Sequence, residues 1–564
     1  MGNSLDSQRM LLYMALVFIG LLIYQAWVLD YGPKPEPTVQ PSQTIDSNGV
    51  VADSDGPAAS TGVVAASPSG DLPVASQSDE AQDQQLAASG ARISVQTDLV
   101  NATISTVGGT IVGIELREYP VSLEQQDVPF TLMSDAPERF LIAQSGLQGV
   151  AGEASPTHRE IYRHEADSYA LSDDTDSISI PLRWDNGAGV EVVKTLTFTR
   201  GSYEVNVDYA IANTSGQPWQ FNQYQQLQRK PATSDETSRF LYTYIGGVVS
   251  TEEKRYEKID FGDMEDENLS VESTGGWVAM IQHYFAGAWI PDQETRNSFY
   301  TIHLKNRNRY IIGINSALKT VADGATDTHS VKAYIGPKIQ DNLKAAAPHL
   351  ELTVDYGWLT IIAQPLFWLL KKIHSFVGNW GWSIIILTML IKLVFYKLSK
   401  ASYTSMARMK KLQPKLQDLK ERYGDDRAKM GQATMDLYKK EKVNPLGGCL
   451  PMIVQIPVFI ALYWTLLESV ELRQAPWILW IQDLAIKDPL FVLPVIMGVS
   501  MFIQQRLNPA PVDPIQAKVF MVLPVVFTVF FAWFPAGLVL YWCVNNILSI
   551  AQQYYITRHV IGTK

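Results

Sequence analysis

One lysine inside an apolar run is the residue of this chain best placed to do chemistry. Lys392 stands in Leu390-Ile391-Lys392-Leu393-Val394, and a cation at the centre of a membrane span costs about 2.5–3.5 kcal/mol on insertion scales. Two readings account for keeping it. Either it snorkels toward Lys397, five residues on and about 7–8 Å along a helix, or it is an electrostatic site within the bilayer. Position alone weighs the two equally.

Its company favours the second. Thr388 lies one helical turn earlier on the same face, Gln455 lies in a later apolar run, Gln504 and Gln505 end another, and Asn545 and Asn546 lie in the last. Amides at span ends can simply touch headgroups, which suits Gln504 and Gln505. The others can line a wet recess that keeps the ammonium charged. No aspartate or glutamate falls within the five later apolar runs, so Lys392 has no resident counter-ion, and an unpaired cation suits a transient anionic guest. Pro451, Pro457, Pro494 and Pro524 loosen the backbone of these runs. Nine methionines after residue 380 offer either adaptable apolar contact or ordinary packing.

Covalent catalysis finds no foothold. The chain has no phosphate-binding Gly-rich loop, no Gly-x-Ser-x-Gly and no His-Glu-x-x-His. The only cysteines, Cys449 and Cys543, lie in apolar runs, which excludes a disulfide framework or a thiolate metal site. Six of the eight histidines, His158, His164, His283 and His303 among them, are scattered between residues 91 and 350. Scattered surface histidines are the ordinary case, and a sugar-processing His/Glu pair is the rival. No catalytic residue, metal or cofactor is expected.

The elements that must carry Lys392 follow from charge and periodicity. The 564 residues have a net charge of −11, but residues 30–350 hold 43 acidic and 23 basic side chains, a net of −20, against +9 for the rest. A uniform acidic soluble protein is excluded, as is direct DNA binding. Apolar runs at 11–29, 382–398, 449–467, 489–505, 519–534 and 537–556 make six candidate spans. The first ends in Gln25-Ala26-Trp27-Val28-Leu29-Asp30, a poor cleavage site, so 1–30 reads as a retained anchor. Residues 31–90, rich in Pro, Ser, Ala, Gly and Asp, read as a flexible tether. From 91 to 350 the period is two: Ile93, Val95, Thr97 and Leu99 alternate with polar residues, as do Ile178, Ile180, Leu182 and Trp184, and Tyr203, Val205, Val207 and Tyr209. Turn signals such as Asp185-Asn186-Gly187 divide these strands into a large antiparallel β-sandwich.

Orientation follows the basic residues. Residues 397–442 carry 13 basic and 6 acidic side chains, and 468–488 carry 2 and 4. The first segment is therefore expected inside and the second outside, with both termini cytoplasmic and the β-sandwich periplasmic. Residues 351–380, with Gln364-Pro365 inside their apolar stretch, are expected as an amphipathic helix lying in the outer interface rather than a seventh span. Span two is expected at 381–399, and spans three to six within 444–557. Between them 400–443 reads as a helical hairpin. Met409, Leu412, Leu416, Leu419 and Tyr423 form a coiled-coil seam, Gly424-Asp425-Asp426 the break, and Met430, Ala433 and Leu437 the return. Its outer face is basic, with Lys410, Lys411, Lys415, Lys420, Arg422 and Lys429. The fold class is thus a membrane α-helical bundle of six spans, five forming the core, plus a periplasmic β-sandwich and a cytoplasmic hairpin. Residues 558–564 form a short basic tail.

Local motifs add a resemblance. Lys442-Val443-Asn444-Pro445-Leu446-Gly447-Gly448-Cys449-Leu450-Pro451, Glu471-Leu472-Arg473-Gln474-Ala475-Pro476, Leu493-Pro494-Val495-Ile496-Met497-Gly498 and Trp533-Phe534-Pro535-Ala536-Gly537-Leu538-Val539-Leu540-Tyr541 resemble the YidC membrane-protein insertases over about 350–556. The domain order is similar to the Gram-negative form. The resemblance implies a nucleotide-independent insertase and chaperone for nascent inner-membrane proteins, working alone or beside the Sec translocon, with SecD–SecF as a further partner. It implies five core helices around a hydrophilic groove, with Lys392 where the family typically has arginine. Lysine keeps the charge and loses the forked guanidinium. A groove tyrosine of the family matches Trp542, beside Tyr541. The groove set is then Lys392, Thr388, Gln455, Tyr541, Trp542 and Asn545. The basic hairpin is the implied receiver of ribosome, targeting factor or nascent chain. The rivals are a transporter or channel with Lys392 as its substrate site, against which no internal repeat is found, and a carbohydrate enzyme anchored by its spans.

Overall fold

The computed structural model describes residues 90–150, 153–232, 243–423, 426–441, 443, 450–508 and 514–561. The anchor at 11–29, the tether up to residue 89, the turn residues 424–425, the motif residues 444–449 and the tail residues 562–564 lie outside the described residues.

Period-two patterning becomes two packed sheets. One runs in the order Ser270–Thr274, Arg296–Leu304, Arg309–Ser316, Trp219–Arg229, Leu141–Gly149, Thr110–Ser122, Val100–Ser105, Arg92–Gln96 and Ser168–Ala170. Gln125–Met133 adds to Thr110–Ser122, and Lys319–Val321 adds to Trp219–Arg229. The other runs Glu257–Ile259, Gly246–Ser250, Trp277–Ile281, Phe285–Ile290, Thr326–Pro337, Glu204–Asn213, Val190–Thr199 and Ser177–Asp185. Pairing is antiparallel except between Arg92–Gln96 and Ser168–Ala170. Ile93, Val95, Ile180, Leu182, Val205, Val207 and Tyr209 all face the shared core. A one-residue slip would turn each set to solvent, so alternation fixes the register. Gly187, in the Asp185-Asn186-Gly187 turn, has φ +66, a left-handed backbone that glycine adopts without strain. The β-sandwich expectation holds.

Eleven helices of the α type occur among the described residues. Two are short, α1 (Phe261–Asp266) and α2 (Gln340–Ala346). The others are α3 (Thr360–Val377), α4 (Trp380–Val394), α5 (Tyr396–Lys411), α6 (Gln413–Tyr423), α7 (Arg427–Lys440), α8 (Leu450–Glu468), α9 (Val492–Leu507), α10 (Pro514–Phe531) and α11 (Ala536–Ile561). Helix α3 ends at Gly378 with φ +69, and α4 starts under Asn379, whose side chain accepts from the Trp382 N–H at 3.1 Å. Helix α3 runs through Pro365 instead of being interrupted there. Ile361 and Pro365 are both exposed, so the carbonyl that proline leaves unpaired faces outward, where its loss costs least. Trp358, Ile361, Trp368 and Phe376 are exposed at helical spacing, while Ala363, Phe367 and Leu370 are buried.

Two differences from the sequence reading concern span two and the hairpin. The stretch expected as one span at 381–399 is bent by 69° at Phe395, between α4 and α5. Helix α4 alone has 15 residues, about 22 Å against a hydrocarbon core of about 30 Å. Among the described residues no single helix is long and apolar enough to cross a membrane, and this bent pair passes that test together. No proline or glycine lies between Met389 and Lys400, so tertiary packing sets the bend. Helix α11 packs along both α4 and α5 and holds them at that angle. The first hairpin arm is likewise divided at Leu412, with Pro414 in the first turn of α6. Leu412 and Leu416 are buried, Leu419 and Leu437 half-buried, and Lys415 pairs with Glu441 at 2.6 Å.

Helix α8 ties the helices to the β-sandwich. Ala461 and Val470 belong to the sandwich core, while Leu462 and Leu466 pack with α4, α9, α10 and α11. At its end Glu468 Oε2 lies 3.5 Å from Lys338 Nζ, which also donates to the Thr353 carbonyl at 3.0 Å. His283 Nε2 meets the Leu467 carbonyl at 3.0 Å, and burial beside Lys338 pushes this histidine down to about 3, so it is neutral.

Candidate functional site

Lys392 occupies the last turn of α4 with 5% of its surface exposed. Its Nζ donates to Ser549 Oγ on α11 at 2.8 Å, and Ser549 Oγ in turn donates to the Asn545 carbonyl at 2.7 Å. Tyr403, on α5 beyond the bend, approaches the same hydroxyl. One serine is thus approached from both arms of the bent pair. Among the described residues no carboxylate pairs with Lys392. The ammonium is more enclosed than the wet recess expected from the sequence would leave it, because α11 packs against both α4 and α5 around the bend.

A polar stripe continues along α11. Asn546 Nδ2 donates to Ser500 Oγ of α9 at 3.2 Å, and Gln553 Nε2 donates to Asn508 Oδ1 at 3.0 Å. Asn546, Ser549 and Gln553 are buried. Among the described residues the Oε1 atoms of Gln552 and Gln553 are buried without a partner, and buried acceptors of that kind are costly to leave unpaired. Ser500, Ser549 and Tyr403 escape a reading that looks for amides and charges inside apolar runs, whereas Gln553 lies inside the run 537–556 and fits it. The signal that finds Ser549 is recurrence: 546, 549 and 553 are spaced by three and four, one face of a helix.

The remaining expected groove residues are divided. Thr388 is buried on the face of Lys392, but its hydroxyl donates to the Ile384 carbonyl of its own helix at 2.7 Å. Gln455 is half-exposed on α8 next to exposed Ile453, Val454 and Ile456, and makes no hydrogen bond with Lys392. The half-buried Trp542 packs its ring on Phe459 at 4.6 Å and on Phe531 at 4.1 Å, joining α8, α10 and α11. Buried Tyr541 lies 5.4 Å from Phe459. The Asn545 side chain is half-buried. The structure therefore joins Lys392 to Ser549 and Tyr403, gathers Tyr541 and Trp542 on an aromatic wall, and leaves Gln455 apart.

On the hairpin, Lys410 Nζ lies 3.4 Å from the carbonyls of Arg506 and Leu507, at the end of α9, a favourable place for a cation. Lys411, Lys415, Lys420 and Arg422 are exposed. The histidines do not gather: His158 contacts Tyr224, His303 stacks on Tyr310, and His283 lies at the end of α8. Among the described residues no group of three His, Cys, Asp or Glu side chains is arranged for a metal ion.

Known proteins resemble this chain along its whole length. Residues 92–369 match the family model of the YidC periplasmic domain, and residues 372–563 match that of the 60Kd inner membrane protein. The membrane protein insertase YidC of Thioalkalivibrio sulfidiphilus is 51% identical over 571 residues, covering 99% of each chain. That of Methylococcus capsulatus is 50% identical over 562 residues, again covering 99% of each. The crystal structure of an active YidC insertase with its first transmembrane domain resolved aligns over 84% of this chain and 96% of its own, at 18% identity and a TM-score of 0.36. A periplasmic-type β-sandwich followed by an inner-membrane helical segment, at about half identity from end to end, leaves one conclusion: the chain belongs to the YidC family of membrane protein insertases.

Proposed function

We propose that this insertase moves client proteins into the membrane along the polar seam of α4, α5, α9 and α11, with Lys392 as its electrostatic capture point. One observation carries the reading: a buried cation whose described partner is a neutral hydroxyl. Burying a charge without an opposite charge is unfavourable, and a client carboxylate arriving beside it relieves that cost. Short helices support the same step. A bilayer thinned around α4 presents less hydrocarbon to a polar segment, whose groups otherwise lose water without replacement. The client's apolar helix then moves into lipid along the exposed apolar faces of α8 and α10, driven by burial from water at roughly 25 cal/mol per Å². No nucleotide and no covalent step enter this scheme.

The scheme has six spans with both termini cytoplasmic and the β-sandwich periplasmic, supported by the basic surplus of 397–442. The exposed apolar stripe of α3 lies in the outer interface. Helices α6 and α7 form the cytoplasmic hairpin that receives the ribosome or targeting factors, supported by exposed Lys411, Lys415, Lys420 and Arg422. The Sec translocon with SecD–SecF is the proposed membrane partner, on the strength of the motif resemblance at 442–451 and 471–476.

The test is site-specific photo-crosslinking from positions 388, 392, 455 and 542 to a nascent single-span client. Crosslinks from 388 and 392 to the client's leading segment, with 542 reaching its apolar helix, support the seam. Crosslinks at 455 alone would move the path to the lipid face of α8 and reject it.

A further inference from the structure

A cavity of about 500 Å³ opens at the junction of the β-sandwich and the segment that follows α8, within the range of binding pockets. Its charge opposes that of the domain around it. Residues 91–350 carry 34 acidic and 22 basic side chains, a net of −12, yet Arg139, Arg229, Lys230 and Arg473 line the cavity, and Glu138 is the single carboxylate among its described lining residues. Arg473 and Lys230 are held by carbonyls. Arg473 donates to the Pro120 carbonyl at 2.6 Å and the Val121 carbonyl at 3.2 Å, and Lys230 Nζ donates to the Pro137 carbonyl at 2.8 Å. Among the described residues, Arg139, Lys230 and Arg473 form no ion pair with a carboxylate, Asp483 acting on Arg473 only at longer range, so most of their charge remains available to an anion.

The other walls suit a peptide. Phe130 and Phe285 stack at 4.4 Å, with the Arg473 guanidinium 5.8 Å from each ring centre. Among the described residues the strand Gln125–Met133 pairs only with Thr110–Ser122. Its residues Val128, Pro129, Phe130 and Thr131 line the cavity. An open strand edge offers main-chain groups to an added extended segment, while pockets beside it select side chains. A phosphate headgroup would use the cations and leave both the strand edge and the aromatic pair idle.

We propose that this cleft binds an extended, acidic segment of the client chain after it has crossed the membrane. The inference rests on the orientation given above, in which the β-sandwich faces the side to which client tails are delivered. Capture there would hold a tail that Lys392 has released and oppose its return, in a domain whose overall charge repels it.

The test uses the full-length protein in detergent and a fluorescent twelve-residue peptide carrying four aspartates and two phenylalanines. Fluorescence anisotropy should report saturable binding, weakened at least tenfold by Arg139→Glu with Lys230→Glu and lost when the peptide aspartates become asparagine. Lys254→Glu with Arg296→Glu, an equal charge change at exposed pairs away from the cleft, should leave binding unchanged, which separates local contact from global charge. Equal binding of the asparagine peptide, or displacement by short-chain phosphatidylglycerol at lower concentration than by unlabelled peptide, overturns the proposal, the latter in favour of a lipid site. A photo-crosslinker at Val128 should also reach the acidic tail of a client in proteoliposomes. Loss of all client insertion in those vesicles would count against the seam reading, while the anisotropy result still decides the cleft.

Discussion

Lys392 on α4 and Ser549 on α11 are 157 residues apart and lie 2.8 Å from nitrogen to oxygen. Tyr403 approaches the same serine from α5, so this contact closes the 69° bend between α4 and α5. Its chemistry is unequal: a full positive charge rests on a neutral dipole. The contact is strong enough to hold the resting geometry and weaker than a carboxylate pair that would replace it.

Reversing the charge tests capture directly. Lys392→Glu should lower insertion of clients with acidic outer tails about tenfold, equivalent to about 1.4 kcal/mol, with a much smaller effect on uncharged tails. Lys392→Arg should retain activity, since the charge persists. Protease protection of the translocated tail in proteoliposomes measures both. Equal losses across clients would remove electrostatic capture and leave the insertase family assignment standing.

Removing the hydroxyl tests the bend. Ser549→Ala deletes the partner of a buried cation, an interaction of about 1.5–3 kcal/mol, and should lower the unfolding midpoint in detergent. Tyr403→Phe should cost less. The double variant should fall short of the sum of the two, because the two side chains are neighbours at one point of the bend. Strict additivity would show that Tyr403 and Ser549 are independent.

The buried pair at the end of α8 yields a stability prediction. Lys338→Met leaves Glu468 buried beside neutral His283 and should destabilise by about 3–5 kcal/mol. Adding Glu468→Leu should recover most of that loss, because the stranded charge is then gone. Chemical unfolding of the full-length protein, followed by tryptophan fluorescence, reads both steps. Failure of the second substitution to rescue would mean that the pair fixes geometry beyond its charge.

Inside the sandwich, Lys194 donates to the carbonyls of Gly108 at 2.7 Å and Ser145 at 3.0 Å, and burial pushes it down to about 7. Its ordinary value is near 10.4, so between pH 7 and 10 the unfolded chain binds more protons than the folded domain. Stability should therefore rise with pH in that window, by on the order of 2 kcal/mol from pH 7 to 9. The contribution is lost as pH falls toward 7. Lys194→Met should flatten the rise in a urea-midpoint series, and an unchanged slope would show that this lysine titrates normally.

Legibility differed by element. Ile93–Val95 and Val205–Val207 were readable because a strand with one buried face must alternate, whatever it packs against. The exposed stripe of α3 and the buried Leu412 and Leu416 of the hairpin follow equally local periods. Lys392 was conspicuous because charge in an apolar run is costly wherever the run lies.

Its partner was not. Serine is common in membrane helices and carries little signal alone, and only the packing of α11 across the bend puts Ser549 within reach of Lys392 and Tyr403. The bend at Phe395 has no proline or glycine to announce it, and the cleft joins Arg473 to walls 188 or more residues earlier in the chain. Sequence alone determined which faces are apolar and where charge is expensive, since those depend on each residue and its near neighbours. Tertiary structure decided which costly groups meet, because such meetings depend on helix angles set by packing over hundreds of residues.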